Sequence, residues 1–171
     1  VQGVGEADKL YARCDSYVMR TNVHFPTDIS LLFDAVECII RLLSRMCAEE
    51  GITWWRQHQT NIKKIKKKYR KAQNLKKSTS KNPETQAKRD KVIKEAYGAY
   101  LDLNDGFLFK AILTVDRLRK SGKVNEFRLL EIESYIVDAD RQMDQTHRRV
   151  ILGEEIPHDE KIFSIFEKHT E

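Results

Sequence analysis

The stretch VNEFRLLEIESYIVDADRQMDQTHRRVIL, residues 124–152, decides the fold. Along it Leu129, Ile132, Ile136, Ala139, Met143, Thr146 and Val150 recur in alternating steps of three and four, the spacing of a coiled-coil seam on one face of a helix. Such a seam cannot be buried by its own helix, so the residues around it must supply helical partners.

The nearest partner lies just upstream. Ser121-Gly122 closes a long helix that begins at Pro83 and carries Val92, Ala96, Ala99, Leu103, Phe107, Ala111, Thr114 and Leu118 in register. So short a turn makes the two an antiparallel hairpin over residues 83–152. Gly98 and Gly106 each weaken the first arm by roughly 1 kcal/mol relative to Ala, and a bend or break is expected near Asn104-Asp105-Gly106. Earlier still, Ile29, Leu32, Phe33, Val36, Ile40 and Leu43 share one face of a helix capped by Thr27 or Asp28 and closed by Gly51. A further helix over residues 54–75 has a thin apolar stripe of Trp55, Ile62, Ile65, Tyr69 and Ala72 among lysines and arginines. Residues 76–82, with Ser78-Thr79-Ser80, read as an exposed loop.

Composition agrees with helices. Of the 171 residues 33% are charged, with only 7 Gly and 3 Pro, too few punctuators for an all-β fold. Three cysteines, Cys14, Cys38 and Cys47, show no C-x-x-C spacing, which argues against a disulfide framework or a cysteine zinc site and for a reducing cytoplasm. Charged residues break every apolar run, so no membrane span or export signal is read, and the absence of an initiator Met suggests a piece of a longer protein.

The flanks read differently. Residues 10–24 carry Tyr11, Val18, Thr21 and Val23 in loose alternation and suggest a strand through Asp15, ended by Phe25-Pro26. Lys161-Ile162-Phe163-Ser164-Ile165-Phe166 alternates as a second strand. The expected division is a first strand region over 1–25, a helical segment over 26–152 and the start of another strand over 153–171.

The net charge of +5 conceals a strong asymmetry. From Arg56 to Lys94 there are fifteen Lys and Arg against two acids, a net of +13; the remainder, with sixteen bases against twenty-four acids, is −8. Lys63, Lys64, Lys66, Lys67, Lys68, Arg70 and Lys71, followed by Lys76 and Lys77, form a candidate contact for nucleic-acid backbone: sequence-independent and salt-dependent. A helix that was merely soluble would mix signs for i,i+4 pairs, although a solvated face remains the alternative. Trp54-Trp55 could stack on a base, but two adjacent Trp at a helix start more often divide into one core and one rim residue. His147, His158 and His169 have no ligand spacing.

Asp15 is open to two readings, a salt-bridged or solvated Asp at a strand end and a metal ligand in two-metal phosphoryl transfer. Its surroundings, Cys14-Asp15-Ser16-Tyr17-Val18-Met19-Arg20-Thr21-Asn22-Val23-His24-Phe25-Pro26-Thr27-Asp28, resemble the first catalytic motif of bacterial insertion-sequence DDE transposases. The runs Arg148-Arg149-Val150-Ile151, Gly153-Glu154-Glu155-Ile156-Pro157-His158-Asp159-Glu160-Lys161-Ile162-Phe163-Ser164-Ile165-Phe166-Glu167 and His169-Thr170-Glu171 look like the segment that follows the helical insert of that group. Tyr17, Met19 and Arg20 depart from the pattern.

The resemblance implies a mainly α chain: an antiparallel helical bundle or hairpin insert flanked by short strands of an incomplete ribonuclease-H-like core. Asp15 is then the first catalytic carboxylate and a ligand of Mg²⁺ or Mn²⁺ in the intact enzyme, with the other two carboxylates beyond residue 171, so that this chain alone binds no metal and is inactive. DNA is the expected partner, in a bacterial cytoplasm at the nucleoid. The competing expectation is a non-enzymatic helical interaction module, a homo-oligomer or partner-binding protein built on the seam of residues 129–150.

Overall fold

The computed structural model describes residues 27–76, 81–157 and 160. Among them four α-helices, α1 (Asp28–Glu49), α2 (His58–Lys76), α3 (Pro83–Ser121) and α4 (Glu126–Thr146), are followed by a π-helical segment, His147–Leu152, that prolongs α4. The chain is mainly helical, as the periodicities require.

Each helix has a local reason to start where it does. Thr27 precedes α1, and Ser30 Oγ accepts from the Thr27 amide at 3.0 Å while donating to the Thr27 carbonyl at 2.8 Å. Asn82 caps α3 through its side-chain oxygen, which accepts from the Glu84 and Thr85 amides, with Pro83 in the first turn. Asn125 caps α4 in the same way at the Phe127 amide, 2.9 Å away. α2 starts later than the sequence suggests. Residues 54–57 form a turn rather than its first residues, and that turn drives the Trp55 ring into the core. Gly122 and Gly153, with φ of 66° and 80°, adopt the left-handed conformation that ends α3 and the π-helical segment.

Paired contacts at opposite ends fix the directions. Arg128 meets Glu49 at 2.9 Å and Arg149 meets Asp28 at 2.7 Å, so α4 runs antiparallel to α1. Arg119 holds both Glu126 and Glu133 while Lys94 donates to the Ile151 carbonyl at 2.9 Å, so α4 is also antiparallel to α3. Tyr69 packs near Tyr100 while Trp55 reaches Thr114, which makes α2 antiparallel to α3. The result is an up-down-up-down four-helix bundle.

Its core holds Leu32, Ile39, Ile40, Leu43, Ile65, Leu118, Leu129 and Ile132, all essentially inaccessible. The expected seam of α4 holds for Leu129, Ile132, Ile136, Ala139 and Thr146, whereas Gln142 takes the buried position expected of Met143. The seam is packed inside this chain against α1. α3 departs further from expectation. Val92 is exposed, Leu103 and Phe107 are half-buried, and Tyr97, Tyr100, Leu101, Leu108 and Val115 are buried instead. Here α3 touches α1, α2 and α4 together, so its buried arc is wider than one stripe and turned toward the tyrosines. Nor is the helix broken at Gly106: it is continuous, and the Asn104 amide donates back to the Tyr100 carbonyl at 2.7 Å.

α3 also outruns its neighbours. Ile151 lies opposite Lys94, and Tyr100 donates to the Ile29 carbonyl, so α1 and the π-helical segment finish near these levels. The first turns of α3 therefore project past them, mostly exposed. No strand occurs among the described residues, and the ribonuclease-H-like core has no support there. The segments expected to form its strands, residues 10–24 and 161–166, lie outside the described residues.

Candidate nucleic-acid interface

α2 is built of apolar residues at 62, 65, 69 and 72 that lock it onto the bundle, and every position between them that carries charge carries it positive. Burial of the stripe forces the rest outward, leaving Lys63, Lys64, Lys66, Lys67, Lys68, Arg70, Lys71 and Lys76 exposed. The helix thus turns its cations into two adjoining rows. Lys63, Lys66 and Arg70, at steps of three and four, face the α1 side, where the Lys66 ammonium lies 5.9 Å from the centroid of the Phe33 ring. Lys64, Lys67, Lys68 and Lys71 line an open groove of about 560 Å³ beside Leu103 of α3.

No ion pair among the described residues uses a Lys or Arg of α2; the carboxylates that pair do so with Arg41, Arg119, Lys120, Lys123, Arg128, Arg148 and Arg149. The opposite side of the bundle is accordingly neutralised. Arg119 holds Glu133 below the usual carboxylate range by hydrogen bonding, and Arg128 does the same for Glu49. Among the described residues no carboxylate comes within ion-pair distance of a Lys or Arg of α2, and a row of cations so placed is one that can release counterions from a polyanion.

Lys76 stands apart. At the C-terminal end of α2, desolvation and the nearby Arg149 guanidinium lower its pKa, with Asp28 acting in the opposite sense. It marks the place where α2, the start of α1 and the end of α4 converge.

At the other end of the same helix lies a smaller pocket of about 370 Å³, lined by Trp54, Arg56, Gln57, Asn61, Phe107 and Lys110, with Thr53 at its rim. Trp55 is buried and its indole nitrogen donates to Thr114 Oγ1 at 3.0 Å, whereas Trp54 is 40% exposed. The Lys110 ammonium donates to the Trp54 carbonyl at 2.6 Å and lies 4.3 Å from the centroid of the Trp55 ring. Arg117 lies over the Trp54 ring at 4.8 Å.

Of the residues singled out in the sequence, Lys63 through Lys76 are thus gathered on one helix, while Asp15 and Lys77 lie outside the described residues. Leu103, Phe107 and Lys110 were not legible as neighbours of the basic run, because a groove between α2 and α3 joins residues some forty positions apart and leaves no local pattern. Among the described residues no three His, Cys, Asp or Glu side chains come together to hold a metal, and the expected ligand Asp15 lies outside them. Cys47 is buried, and that burial pushes its thiol up to about 11, the setting of a core residue rather than a nucleophile. No helix among the described residues is long and apolar enough to cross a membrane. Comparison of the chain with family models, with curated proteins and with solved structures returned no match.

Proposed function

We propose that the bundle is a DNA-backbone-binding element, and that the chain is part of a DDE-type transposase in which this bundle is the helical insert. The observation that carries DNA binding is the basic surface of α2, whose cations have no carboxylate partner among the described residues. Phosphate contacts of this kind give affinity and orientation without sequence readout.

The assignment to a transposase rests on the resemblance of the segments around Asp15 and after Gly153. A geometric relation agrees with it: Arg149, near the end of the helical segment, pairs with Asp28 at its start, so both ends of the bundle leave from one pole, as an insert requires. The exposed cations at the end of α2 and the start of α3 lie at that same pole, where they can hold DNA against a neighbouring core. Metal-dependent strand cleavage and transfer belong, on this reading, to the intact enzyme, with Asp15 as one carboxylate.

The test is fluorescence anisotropy of a labelled random duplex titrated with the chain across a salt series. Affinity is expected to fall steeply with salt, and replacing Lys64, Lys67, Lys68 and Lys71 by Ala should flatten the log–log slope by about 0.9 for each phosphate no longer neutralised. An unchanged slope in that variant overturns the assignment to α2.

A second reading, a protein-interaction module, is favoured by one feature only. Phe127, Leu130 and Val137 of α4 are exposed, and Val137 borders a shallow apolar groove with Ile112. A mass that rises with concentration, without DNA binding, would favour it.

A further inference from the structure

The core of the bundle is apolar in one half and polar in the other. Leu129, Ile132, Ile136 and Ala139 of α4 share the apolar half with Leu108, Ala111, Val115 and Leu118 of α3. Beyond them Asn104 of α3 and Gln142 and Thr146 of α4 are completely buried. The Asn104 amide nitrogen donates to the Tyr100 carbonyl, which leaves Asn104 Oδ1 over. That oxygen, both polar atoms of the Gln142 amide and Thr146 Oγ1 make no hydrogen bond among the described residues. Lys94 reaches the Ile151 carbonyl and Arg119 reaches Glu126 and Glu133, so residue 104 stands opposite the turn from 142 to 146. These atoms therefore belong to one level of the core. Arg149 continues the row of Gln142 and Thr146 along α4. Its Nε is buried and also makes no hydrogen bond among the described residues, while the end of its guanidinium pairs with Asp28 at the pole.

We infer that this level binds a short file of ordered water molecules, running from Asn104 and Gln142 past Thr146 to Arg149 and opening at the pole. Buried polar groups left unmet cost as much as lost hydrogen bonds, and so many at one level call for an occupant. The chemistry of the set selects water. Gln142 Nε2, the Thr146 hydroxyl and Arg149 Nε donate, whereas Asn104 Oδ1 and Gln142 Oε1 accept. An occupant must do both, as a buried water does with about two to four partners. A metal cation would meet the N–H groups of Gln142 and Arg149 with positive charge, and an anion would meet the two amide oxygens with negative charge. The file also supplies what the apolar half lacks. A slip of α3 along α4 can exchange one aliphatic neighbour for another, but it separates Asn104 from Gln142 and breaks the file. A satisfied polar level thus fixes the register of the two helices.

The full chain, isotopically labelled, tests this without any variant. Nuclear Overhauser contacts between the water resonance and the Gln142 side-chain amide protons are expected. They should persist in Thr146→Val, which excludes relay through that hydroxyl. Absence of the contacts, or their loss in Thr146→Val, overturns the file. Stability gives a second readout. Gln142→Met keeps the length of the side chain and removes both polar atoms. Water held by several groups then loses a partner, so the urea midpoint should fall, whereas atoms that were simply unmet would make it rise. Asn104→Leu should cost less in the Gln142→Met background than alone, because the water both hold is already disturbed. A midpoint that rises in Gln142→Met, or costs that merely add, overturns the proposal.

Discussion

The Trp55 indole nitrogen and the Thr114 hydroxyl, separated by 59 residues in the chain, are joined by a buried hydrogen bond of 3.0 Å. Thr114 in turn donates to the Lys110 carbonyl one turn earlier, at 2.7 Å. The bond fastens the turn before α2 to the side of α3 and so sets where the basic helix begins. Thr114→Val keeps the shape and leaves the indole N–H without its partner. A loss of about 1–3 kcal/mol is expected in urea unfolding, with an unchanged m-value. A stability equal to wild type would show that the bond contributes nothing.

Gly106 sits inside α3, and a methyl group added there meets no atom within 4 Å. Gly106→Ala should therefore raise stability by up to about 1 kcal/mol, seen as a higher melting temperature. Gly122 is equally uncrowded, but its φ of 66° makes Gly122→Ala destabilising. Opposite signs in the two variants separate backbone conformation from space.

The lysines of α2 make no ion pair among the described residues, so their removal should not weaken the fold. Replacing Lys64, Lys67, Lys68 and Lys71 by Gln should leave the thermal midpoint unchanged or raise it at low salt, since like charges at i,i+4 repel. A large fall in the midpoint would mean that these side chains have a structural role, and weaker DNA binding in such variants would then reflect a damaged fold rather than missing phosphate partners.

Alkali should expose the core thiol. Cys47 is raised to about 11 by burial, against 9.0 for an unperturbed thiol, so the folded chain keeps a proton that the unfolded chain loses. Stability is then unaffected by this group below about pH 9 and falls as pH rises from there toward 11. Tyr97 and Tyr100, raised for the same reason, add to the fall. Denaturant midpoints measured from pH 7 to 11 check the sign, and Cys47→Ala should reduce the alkaline slope.

The helices were legible because period and punctuation agree: Pro83 and Gly122 bound α3 as the sequence suggests, whereas the Asn125 cap of α4 emerged only in the structure. Where the pattern misled, tertiary packing was responsible. α3 touches three helices, so its buried set could not be read as one stripe, and Tyr97 and Tyr100 displaced Ala99 and Leu103 from the core. Gly106 looked like a break because propensity was counted without the packing on either side of it. The lysine face was visible as composition, but the lysine groove and the polar pocket beside it were not, since Leu103, Phe107 and Lys110 come from another helix.

The overhang of α3 has a mechanical meaning. From Pro83 to Lys94 the helix continues for about 16 Å at 1.5 Å per residue, and Lys88, Arg89 and Lys91 lie on that part, past the described ends of α1 and the π-helical segment. Anchored at its base and stiff along its length, it acts as a mast that holds the cations it carries at a fixed distance from the body of the bundle. Its phase is fixed as well as its reach: removing one residue would swing every cation on the mast by about 100° relative to α2, so the two basic surfaces hold one angular register.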